Sequence, residues 1–442
     1  MTVDHVRVHP GPLSGTVRVP GDKSLSHRAL LLGALVGTRV EVSGLAPSGD
    51  VAATAGALRA MGAEVELAPD PGGALTGHVH GPVGEPVDVL DCGNSGTSLR
   101  LLAGVAAGID GVSVLTGDAS LRRRPVDRVR RPLEAMGARI DARAGVTVPP
   151  LVVRGGSLRG IRYDSPVASA QVKSCVLLAG LAAAGPTTVV SPLRSRDHTE
   201  RMLTHLGLPV ETTAHADGRE EVTLTPGPLS AAPIAVTGDP SSGAFWMVAG
   251  AIGEGAVTIT GLNANPTRFG IVAALRALGA SVTVVDAEPR AGEPVADVRV
   301  EASELTGSVL DGVTVVDALD ELPVLALAGA RSRDGLEVRD AAELRVKESD
   351  RIATVAAAFR ALGMRFEERP DGYVVPGGQR PQPGTVDAAG DHRIAMTAAI
   401  AGTIATGPVE ISGFSAVATS YPSFLDDLAA LGGRVEVLGT RT

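Results

Sequence analysis

The chain has 442 residues, more than one hydrophobic core usually supports, so at least two domains are expected. Its formal net charge of −9 argues against a general nucleic-acid or membrane-surface binder. Its two cysteines are too few for a disulfide framework or a zinc cluster.

The first predicted element is a helix that begins with Gly21-Asp22-Lys23-Ser24 and continues through Arg28 into an apolar run. If Asp22 or Ser24 is the N-cap, Lys23 lies at the helix N-terminus and Arg28 lies one turn beyond Ser24. Backbone N–H groups, the helix dipole and two cations would then form an anion site, with phosphate as the favoured ligand. Taken alone, the stretch is equally well explained as a capped core helix with two surface cations.

The segment before this helix lacks the apolar core of a signal peptide. No apolar run in the chain reaches membrane-spanning length. We therefore expect a soluble, cytoplasmic protein.

A helix ending that contains (Leu/Met)-Gly-x-x-(Val/Ile/Phe) recurs six times, at intervals of roughly 70 to 85 residues. Each copy predicts an amphipathic outer helix that is closed by a glycine and followed by a strand. An apolar helix precedes each copy, and because it has no polar face we expect it to be buried. The six glycines are Gly62, Gly137, Gly207, Gly279, Gly363 and Gly432.

This repeat predicts an α/β protein with two similar domains of three units each, in which rings of sheets enclose the buried helices. We predict an N-terminal lobe of residues 20–239 and a C-terminal lobe of residues 1–19 and 240–442, joined by a two-stranded hinge. A segment rich in Pro, Gly and Ser separates the third and fourth units. We expect the strand before Pro20-Gly21 to cross over and complete the second domain.

Polar residues stand at the start of every buried helix, and several of these starts carry a cation. A single polar start is usually only a cap, but six of them favour anion binding. We expect the two halves to aim these helix ends at a common gap. The starts are Lys23, Ser24 and Arg28; Gly93–Thr97 with Arg100; Ser169, Ala170, Gln171 and Lys173; Ser241 and Ser242; Asp320 and Glu321; and Asp391, His392 and Arg393.

The loops before the outer helices supply a second polar set. Lys347-Glu348-Ser349-Asp350-Arg351 is predicted to begin a helix, where ion pairs on a solvated face are the alternative explanation. Of the arginines 122–124, only one need point inward. The other members of this set are Asp50, Arg196, Arg268 and Thr419.

Several common motifs are absent. The chain has no Gly-x4-Gly-Lys-(Ser/Thr) and no His-Glu-x-x-His, and no strand precedes a Gly-x-Gly-x-x-Gly. His198 and His205 form a weak pair without a third metal ligand. One Trp, three Tyr and six Phe give little support for stacking on nucleic acid.

In combination, five of these stretches resemble the 3-phosphoshikimate 1-carboxyvinyltransferase (EPSP synthase) family over essentially the whole chain. They are Gly21–Arg28, Gly93–Thr97 with Arg100, Ser169–Gln171, Lys347–Arg351 and Asp391–Arg393. The resemblance implies an inside-out α/β barrel fold, with three βαβαββ units in each domain.

The resemblance also implies a reaction. The enolpyruvyl group of phosphoenolpyruvate would pass to the 5-hydroxyl of shikimate 3-phosphate, by addition and elimination. No metal or organic cofactor is implied, the partners are these two small molecules, and no nucleic acid or membrane is involved. We expect a monomer.

By similarity, Asp320 would be the base for the 5-hydroxyl, Glu348 the acid for the methylene carbon, and Lys23 would neutralise charge at the leaving phosphate. Shikimate 3-phosphate would be bound by Ser24, Arg28, Ser169, Ala170, Gln171, Arg196 and Lys347. Phosphoenolpyruvate would be bound by Lys23, Gly96, Arg124, Gln171, Arg351 and Arg393. Asn94 is a further substrate-binding candidate.

The chain departs from the family pattern in the last unit, where Thr419 stands near the position at which many members have Lys. Ala170 replaces a second Ser, and Arg196 stands near a position that others fill with Tyr. The alternative function is that of the UDP-N-acetylglucosamine 1-carboxyvinyltransferases, which use a reactive Cys in a loop of the second unit. The corresponding loop here, residues 118–124, contains no Cys.

Overall fold

The computed structural model of the chain describes residues 2–143 and 147–441, and it divides into two compact units. The N-terminal lobe consists of Gly21–Thr237 and Pro289–Glu293. The C-terminal lobe consists of Met1–Pro20, Gly238–Glu288 and Pro294–Thr442. Each lobe has its own hydrophobic core.

The N-terminal lobe is built on three inner helices, α1, α3 and α5, each with an outer helix after it. Beyond the polar residues of their first two turns, the inner helices are apolar on all sides, and they are buried along most of their length, as their composition predicts. A Cβ at Gly104 of α3 would lie 2.3 Å from the Cys175 carbonyl oxygen of α5, so glycine permits this close packing. The helices are α1 (Lys23–Leu35), α2 (Gly49–Ala60), α3 (Gly96–Ala107), α4 (Asp127–Met136), α5 (Ala170–Gly180) and α6 (His198–His205).

Three four-stranded sheets cover these helices. In each sheet the first two strands are parallel and the other two are antiparallel, which is the βαβαββ arrangement. In spatial order the sheets are Ile234–Ala235, Val40–Leu45, Leu75–His80, Glu64–Pro69; Leu90–Asp91, Gly111–Thr116, Leu151–Gly155, Arg139–Asp141; and Arg162–Asp164, Thr187–Ser191, Glu220–Leu224, Glu211–Ala214. Leu158–Arg159 and Ala183–Ala184 form a separate parallel pair.

The C-terminal lobe repeats this plan around inner helices α7, α10 and α12. One group of its buried aromatic residues packs against α7, where the Trp246 ring stacks on Phe424 at 4.8 Å and its Nε1 donates to Tyr421 Oη at 2.8 Å. The helices are α7 (Pro240–Ile252), α8 (Gly270–Ala277), α9 (Gly312–Asp317), α10 (Leu322–Arg331), α11 (Arg351–Ala361), α12 (His392–Ile404) and α13 (Phe424–Ala430). The short 3₁₀ helices of the two lobes are Leu121–Arg123, Ala342–Val346 and Phe414–Thr419.

Two sheets of the C-terminal lobe use strands from the start of the chain. Gly15–Val17 pairs with Ala256–Asn263, and Thr2–His9 lies between Val409–Ser412 and Arg434–Arg441. In spatial order the sheets are Ser281–Arg290, Glu293–Glu301, Ala256–Asn263, Gly15–Val17; Gly307–Leu310, Gly335–Val338, Gly372–Val375, Glu367–Arg369; and Gly384–Asp387, Val409–Ser412, Thr2–His9, Arg434–Arg441.

All six repeat glycines follow the outer helices and have positive φ, from 70° at Gly363 to 118° at Gly137. This left-handed backbone is easily adopted by glycine and costs other residues free energy. The repeated glycine therefore ends each outer helix and turns the chain into the next strand, as the sequence predicts.

Candidate functional site

The first inner helix begins with the cap and the cation that the sequence predicts. Asp22 is its N-cap, with Oδ1 accepting from the Leu25 backbone N–H at 2.9 Å, and Lys23 is its first residue. The Lys23 ammonium donates to Asp50 Oδ2 at 2.9 Å, and both side chains are mostly buried. Asp50 was not among the predicted catalytic or binding residues.

A buried polar chain supports the Asp50 segment. His27 Nδ1 lies 2.7 Å from Thr54 Oγ1, which in turn lies 2.7 Å from Ser98 Oγ. The Ser98 hydroxyl donates to the Asp50 carbonyl at 3.3 Å. Burial lowers the pKa of His27 to about 3, so this histidine is neutral and adds no charge beside Lys23.

Arg28 is buried in the N-terminal lobe, and its hydrogen-bond partners are neutral. Its guanidinium donates to Thr199 Oγ1 at 2.8 Å, to Ser174 Oγ at 2.6 Å and to the Ser24 carbonyl at 2.8 Å. Burial lowers its pKa to about 10, so it stays charged at neutral pH. Across the described part of the chain, no carboxylate forms an ion pair with it.

A carboxylate near Arg28 is already neutralised by a different cation. Glu200 forms an ion pair with the buried Lys173 ammonium at 2.5 Å, and Glu220 pairs with the same ammonium at 2.9 Å. Burial would lower the pKa of Lys173, but Glu200 and Glu220 raise it above its usual value. Glu200 raises the pKa of Arg28 through space, but its ion pair is with Lys173.

The start of α3 carries a second cationic site. Ser95 is the N-cap, and the Arg124 guanidinium donates to Asn94 Oδ1 while the Asn94 amide donates to Asp118 at 2.6 Å. A Cβ at Gly96 would lie 2.7 Å from Arg100 Nη1 and 3.4 Å from Arg124 Nη1. Glycine at this position therefore leaves space directly in front of two guanidinium groups.

Arg122 and Arg123 are exposed, whereas Arg124 is half-buried and bonded to Asn94. Of the three arginines, Arg124 is therefore the one that contacts the start of α3, and whether it faces a bound substrate stays a prediction.

The third inner helix begins at Ala170 and contributes Gln171. The Gln171 side chain accepts from Arg100 at 2.7 Å and donates to Thr97 Oγ1 at 2.9 Å, which links α5 to α3. Ser169 is the N-cap residue but makes no side-chain capping bond. Arg196 is half-buried, and its charge lowers the pKa of Arg28 secondarily to burial.

In the C-terminal lobe, Arg351 holds three carboxylates together. Its guanidinium lies 2.6 Å from Glu348, 2.9 Å from Asp391 and 3.1 Å from Asp320. Arg351 is fully buried, which by itself lowers its pKa, but Asp391, Glu348 and Asp320 raise it above the usual value. The two predicted acid–base residues, Asp320 and Glu348, are therefore held by one guanidinium group.

The structure corrects the predicted helix start at this point. Helix α11 begins at Arg351 with Asp350 as its N-cap, so Lys347 and Glu348 lie before the helix. The Glu348–Arg351 ion pair of the alternative explanation does form, but Arg351 is buried rather than on a solvated face. Lys347 lies 3.7 Å from Asp320 and 3.4 Å from Glu343.

Arg393 is the second residue of α12 and is buried, with 7% of its surface exposed. Its guanidinium forms no hydrogen bond or ion pair with the described residues, and its Nε is buried without a partner. Asp391, the N-cap of α12, accepts hydrogen bonds from Arg351 and, at 3.0 Å, from the Ser349 hydroxyl. Each lobe thus contains a buried arginine that lacks a counter-ion within the described chain.

A buried network that the sequence did not predict adjoins Asp320. Arg268 lies 2.7 Å from Asp239, the N-cap of α7, and 3.8 Å from Glu321. The Ser241 hydroxyl donates to Glu321. These residues fix the start of α10 directly after Asp320. The Thr419 hydroxyl, in contrast, donates a hydrogen bond to the Ala416 carbonyl in its own turn.

Other kinds of site find little support. Among residues 2–143 and 147–441, no three His, Cys, Asp or Glu side chains are grouped as a metal site requires. His198 instead lies 2.7 Å from Glu293. Burial raises the pKa of both Cys92 and Cys175 to about 12, so neither provides a reactive thiolate. Within the same ranges, no helix has the length and apolar character needed to cross a bilayer.

Comparison with known proteins decides the family. Residues 8–428 match the family model described as EPSP synthase (3-phosphoshikimate 1-carboxyvinyltransferase). The chain belongs to the EPSP synthase family. Residue for residue, it is 47% identical over 426 residues to a 3-phosphoshikimate 1-carboxyvinyltransferase of Synechococcus sp. (strain RCC307), covering 95% of this chain and 97% of the relative.

Solved structures agree with this family. EPSP synthase from Acinetobacter baumannii superposes with a TM-score of 0.85 at 38% identity, covering 98% of this chain and all of that one. The enolpyruvyl transferase NikO from Streptomyces tendae shares the fold, with a TM-score of 0.77 at 20% identity over 99% of both chains. The chain is therefore an enzyme of the transferase class with the predicted inside-out α/β fold.

Proposed function

We propose that the chain transfers the enolpyruvyl group of phosphoenolpyruvate to the 5-hydroxyl of shikimate 3-phosphate. The products are 5-enolpyruvylshikimate 3-phosphate and phosphate, and the proposal includes no metal or organic cofactor. Family membership supports this reaction. The structural observation that carries it is the pair of buried arginines, Arg28 and Arg393, with which no described carboxylate forms an ion pair. Buried cations of this kind need an anion, and both substrates carry a phosphate and a carboxylate.

In the N-terminal lobe, we assign shikimate 3-phosphate to the surroundings of Arg28. The Arg28 guanidinium is oriented by Thr199 and Ser174, so it is preorganised for an oxyanion. The other proposed ligands of shikimate 3-phosphate are Ser24, Ser169, Ala170, Gln171, Arg196 and Lys347.

We assign phosphoenolpyruvate to Lys23, Gly96, Arg124, Gln171, Arg351 and Arg393, with Asn94 orienting Arg124. Arg393 is the cation best suited to this role in the C-terminal lobe, since its guanidinium has no other partner among the described residues. Arg351 is bound to three carboxylates, so phosphoenolpyruvate would have to displace one of them.

The chemistry requires two proton transfers. We propose that Asp320 accepts the proton of the 5-hydroxyl as its oxygen attacks C2 of phosphoenolpyruvate, while Glu348 protonates C3. In the elimination step, Glu348 takes a proton back from the methyl group and the C–O bond to phosphate breaks. Lys23 would stabilise the departing phosphate. Arg351 holds both carboxylates in fixed positions.

We also propose that the enzyme is cytoplasmic and monomeric. Both cysteines are free, which is usual for a reducing compartment. The large exposed hydrophobic side chains of the described residues are all valines, from Val87 to Val437, at scattered sequence positions.

A phosphate-release assay tests the proposal. We expect phosphate to appear only when shikimate 3-phosphate and phosphoenolpyruvate are both present, with equimolar enolpyruvyl product by mass spectrometry. UDP-N-acetylglucosamine in place of shikimate 3-phosphate should give no turnover. Turnover with that acceptor, or phosphate release from phosphoenolpyruvate alone at the same rate, would contradict the assignment.

A further inference from the structure

A second cationic cavity lies in the C-terminal lobe, at the other end of its inner helices. The last residues of α7, α10 and α12, which are Ile252, Arg331 and Ile404, line a cavity of about 360 Å³. Arg393 lies near the opposite end of α12, about 16 Å away along the helix axis at 1.5 Å per residue. The cavity is therefore separate from the candidate catalytic residues of this lobe.

Two arginines line this cavity, and both lack a counter-ion. Arg331 donates to the Gln379 carbonyl at 3.1 Å, and Arg380 donates to the Ile404 carbonyl at 2.9 Å. No carboxylate of residues 2–143 or 147–441 forms an ion pair with either guanidinium. Arg331 Nε is buried and has no hydrogen-bond partner.

The groups around the two arginines include carbonyls and one carboxylate, but no ion pair among the described residues. Burial lowers the pKa of Arg331, and the charge of Arg380 lowers it further, which places the two cations near each other. Glu254, which also lines the cavity, is exposed and forms no ion pair within the described chain. At the end of α12, the Ile404 carbonyl accepts from Arg380 and offsets part of its charge, whereas the Thr403 carbonyl accepts from Gly11 N at 2.9 Å.

We propose that this cavity binds a small organic acid by its phosphate or carboxylate group, through Arg331 and Arg380. A guanidinium pair matches the oxygen geometry of such groups, and a bound oxyanion would relieve the repulsion between the two cations. Ile252, Ile404 and Pro10 provide an apolar wall for the rest of the ligand. The volume is at the lower end of the range for small-molecule sites, roughly 300 to 1,000 Å³, which favours a ligand smaller than a nucleotide.

Methyl NMR of the full chain, with labelled isoleucine δ1 methyl groups, tests the proposal. The protein is titrated with inorganic phosphate and, separately, with malonate. We expect saturable shifts of Ile252 and Ile404, while Ile394, next to Arg393, reports independently on anions at the candidate catalytic residues. Saturation by only one probe identifies the preferred oxyanion and supports the site. No shift of Ile252 and Ile404 with either probe overturns it.

Substitutions of the two arginines complete the test. Arg331→Gln and Arg380→Gln should each weaken binding at Ile252 and Ile404 about tenfold or more and leave Ile394 unchanged. Arg333→Gln is the matched control, because Arg333 is exposed and paired with Asp334. This substitution should not change anion binding at Ile252 and Ile404. If Arg331→Gln fails to fold, the exposed Arg380→Gln decides alone. The proposal is wrong if a folded Arg331→Gln or Arg380→Gln variant still shows the shifts of Ile252 and Ile404 with the affinity of the unsubstituted chain.

Discussion

Arg28 and Arg393 are buried and form no ion pair with the described residues, which is unusual for residues that serve only stability. Removing a guanidinium group from water costs several kcal/mol unless an anion or hydrogen bonds compensate. Arg28 is compensated by two hydroxyls and a carbonyl, while Arg393 has no side-chain partner among the described residues. Such an arrangement is stabilised when a phosphorylated substrate binds.

Arg124 should matter for phosphoenolpyruvate and its neighbour Arg122 should not. Arg124 is half-buried, bonded to Asn94 and close to Gly96, whereas Arg122 in the same turn is exposed. We expect Arg124→Gln to raise the KM for phosphoenolpyruvate about 10- to 100-fold through loss of a charged hydrogen bond. Arg122→Gln should stay within about twofold, because exposed charges contribute little. Initial rates at saturating shikimate 3-phosphate measure both, and equal effects would contradict the assignment.

Glu348 should affect turnover rather than binding. The Glu348→Gln variant keeps the size of the side chain but can neither deliver nor accept a proton. We expect kcat to fall by about 100-fold or more, with both KM values within about threefold. Glu343→Gln, which alters a carboxylate near Lys347 but outside the proposed chemistry, is the control and should keep kcat. A Glu348→Gln enzyme with normal kcat would remove Glu348 from the proton-transfer step.

The secondary-structure elements follow largely from local sequence. Inner helices such as α7 are apolar on every side, and glycines such as Gly137 end the outer helices with a positive φ, so both were predictable. The start of α11 was predicted too early, because Lys347 and Glu348 favour a helix locally while Asp350 provides the actual cap. Capping oxygens decide a boundary that composition leaves open.

The partners of the site residues were much harder to predict. Arg28 bonds to Thr199, which is 171 positions away, and Arg268 bonds to Asp239 across 29 positions. Neither partner has a sequence pattern that marks it, since serines, threonines and aspartates are common in turns and caps. Their roles depend on which helices the fold brings together, and a single sequence does not contain that information.

Helix α12 offers a prediction about stability and pH. Asp391 caps it and is buried against Arg351; burial alone would raise its pKa, but Arg351 and His392 lower it below the usual value. A lowered pKa means that the carboxylate contributes stability above its unfolded pKa of about 3.9 and loses it as the pH falls further. We expect Asp391→Asn to reduce the free energy of unfolding by about 3 kcal/mol at pH 7, and by less below about pH 4.

Urea unfolding followed by Trp246 fluorescence measures this effect, because the only tryptophan of the chain lies in the C-terminal lobe. Asp426→Asn is the matched control. Asp426 is also an acidic residue in the first turn of a helix, α13, but it is exposed, so the expected loss is below about 1 kcal/mol. A loss for Asp391→Asn that stays constant down to pH 3 would show that the ion pair is not its source.

At the scale of the whole molecule, sequence order and spatial membership differ. The chain begins in the C-terminal lobe, enters the N-terminal lobe at Gly21 and returns at Gly238. Residues Pro289–Glu293, which include the end of the strand Ser281–Arg290 and the first residue of Glu293–Glu301, belong to the N-terminal lobe. The C-terminal lobe therefore cannot complete its sheets from residues 238–442 alone, and its first and last units depend on the first strands of the chain.

Val8 tests this dependence. It is fully buried in the strand Thr2–His9 and lies between Val409 and Val435, in the interior of a C-terminal-lobe sheet. Val8→Asp would bury an unpaired carboxylate at a cost of several kcal/mol. Hydrogen exchange should therefore accelerate in peptides of residues 240–441, although the substitution is at position 8, while peptides of residues 23–230 keep their protection.

Arg7→Gln, on the partly exposed face of the same strand, is the control. It should leave the exchange of both sets of peptides nearly unchanged, because it removes only surface ion pairs with Glu410 and Glu436. Equal acceleration in both lobes for Val8→Asp would mean that they unfold as one cooperative unit despite their separate cores.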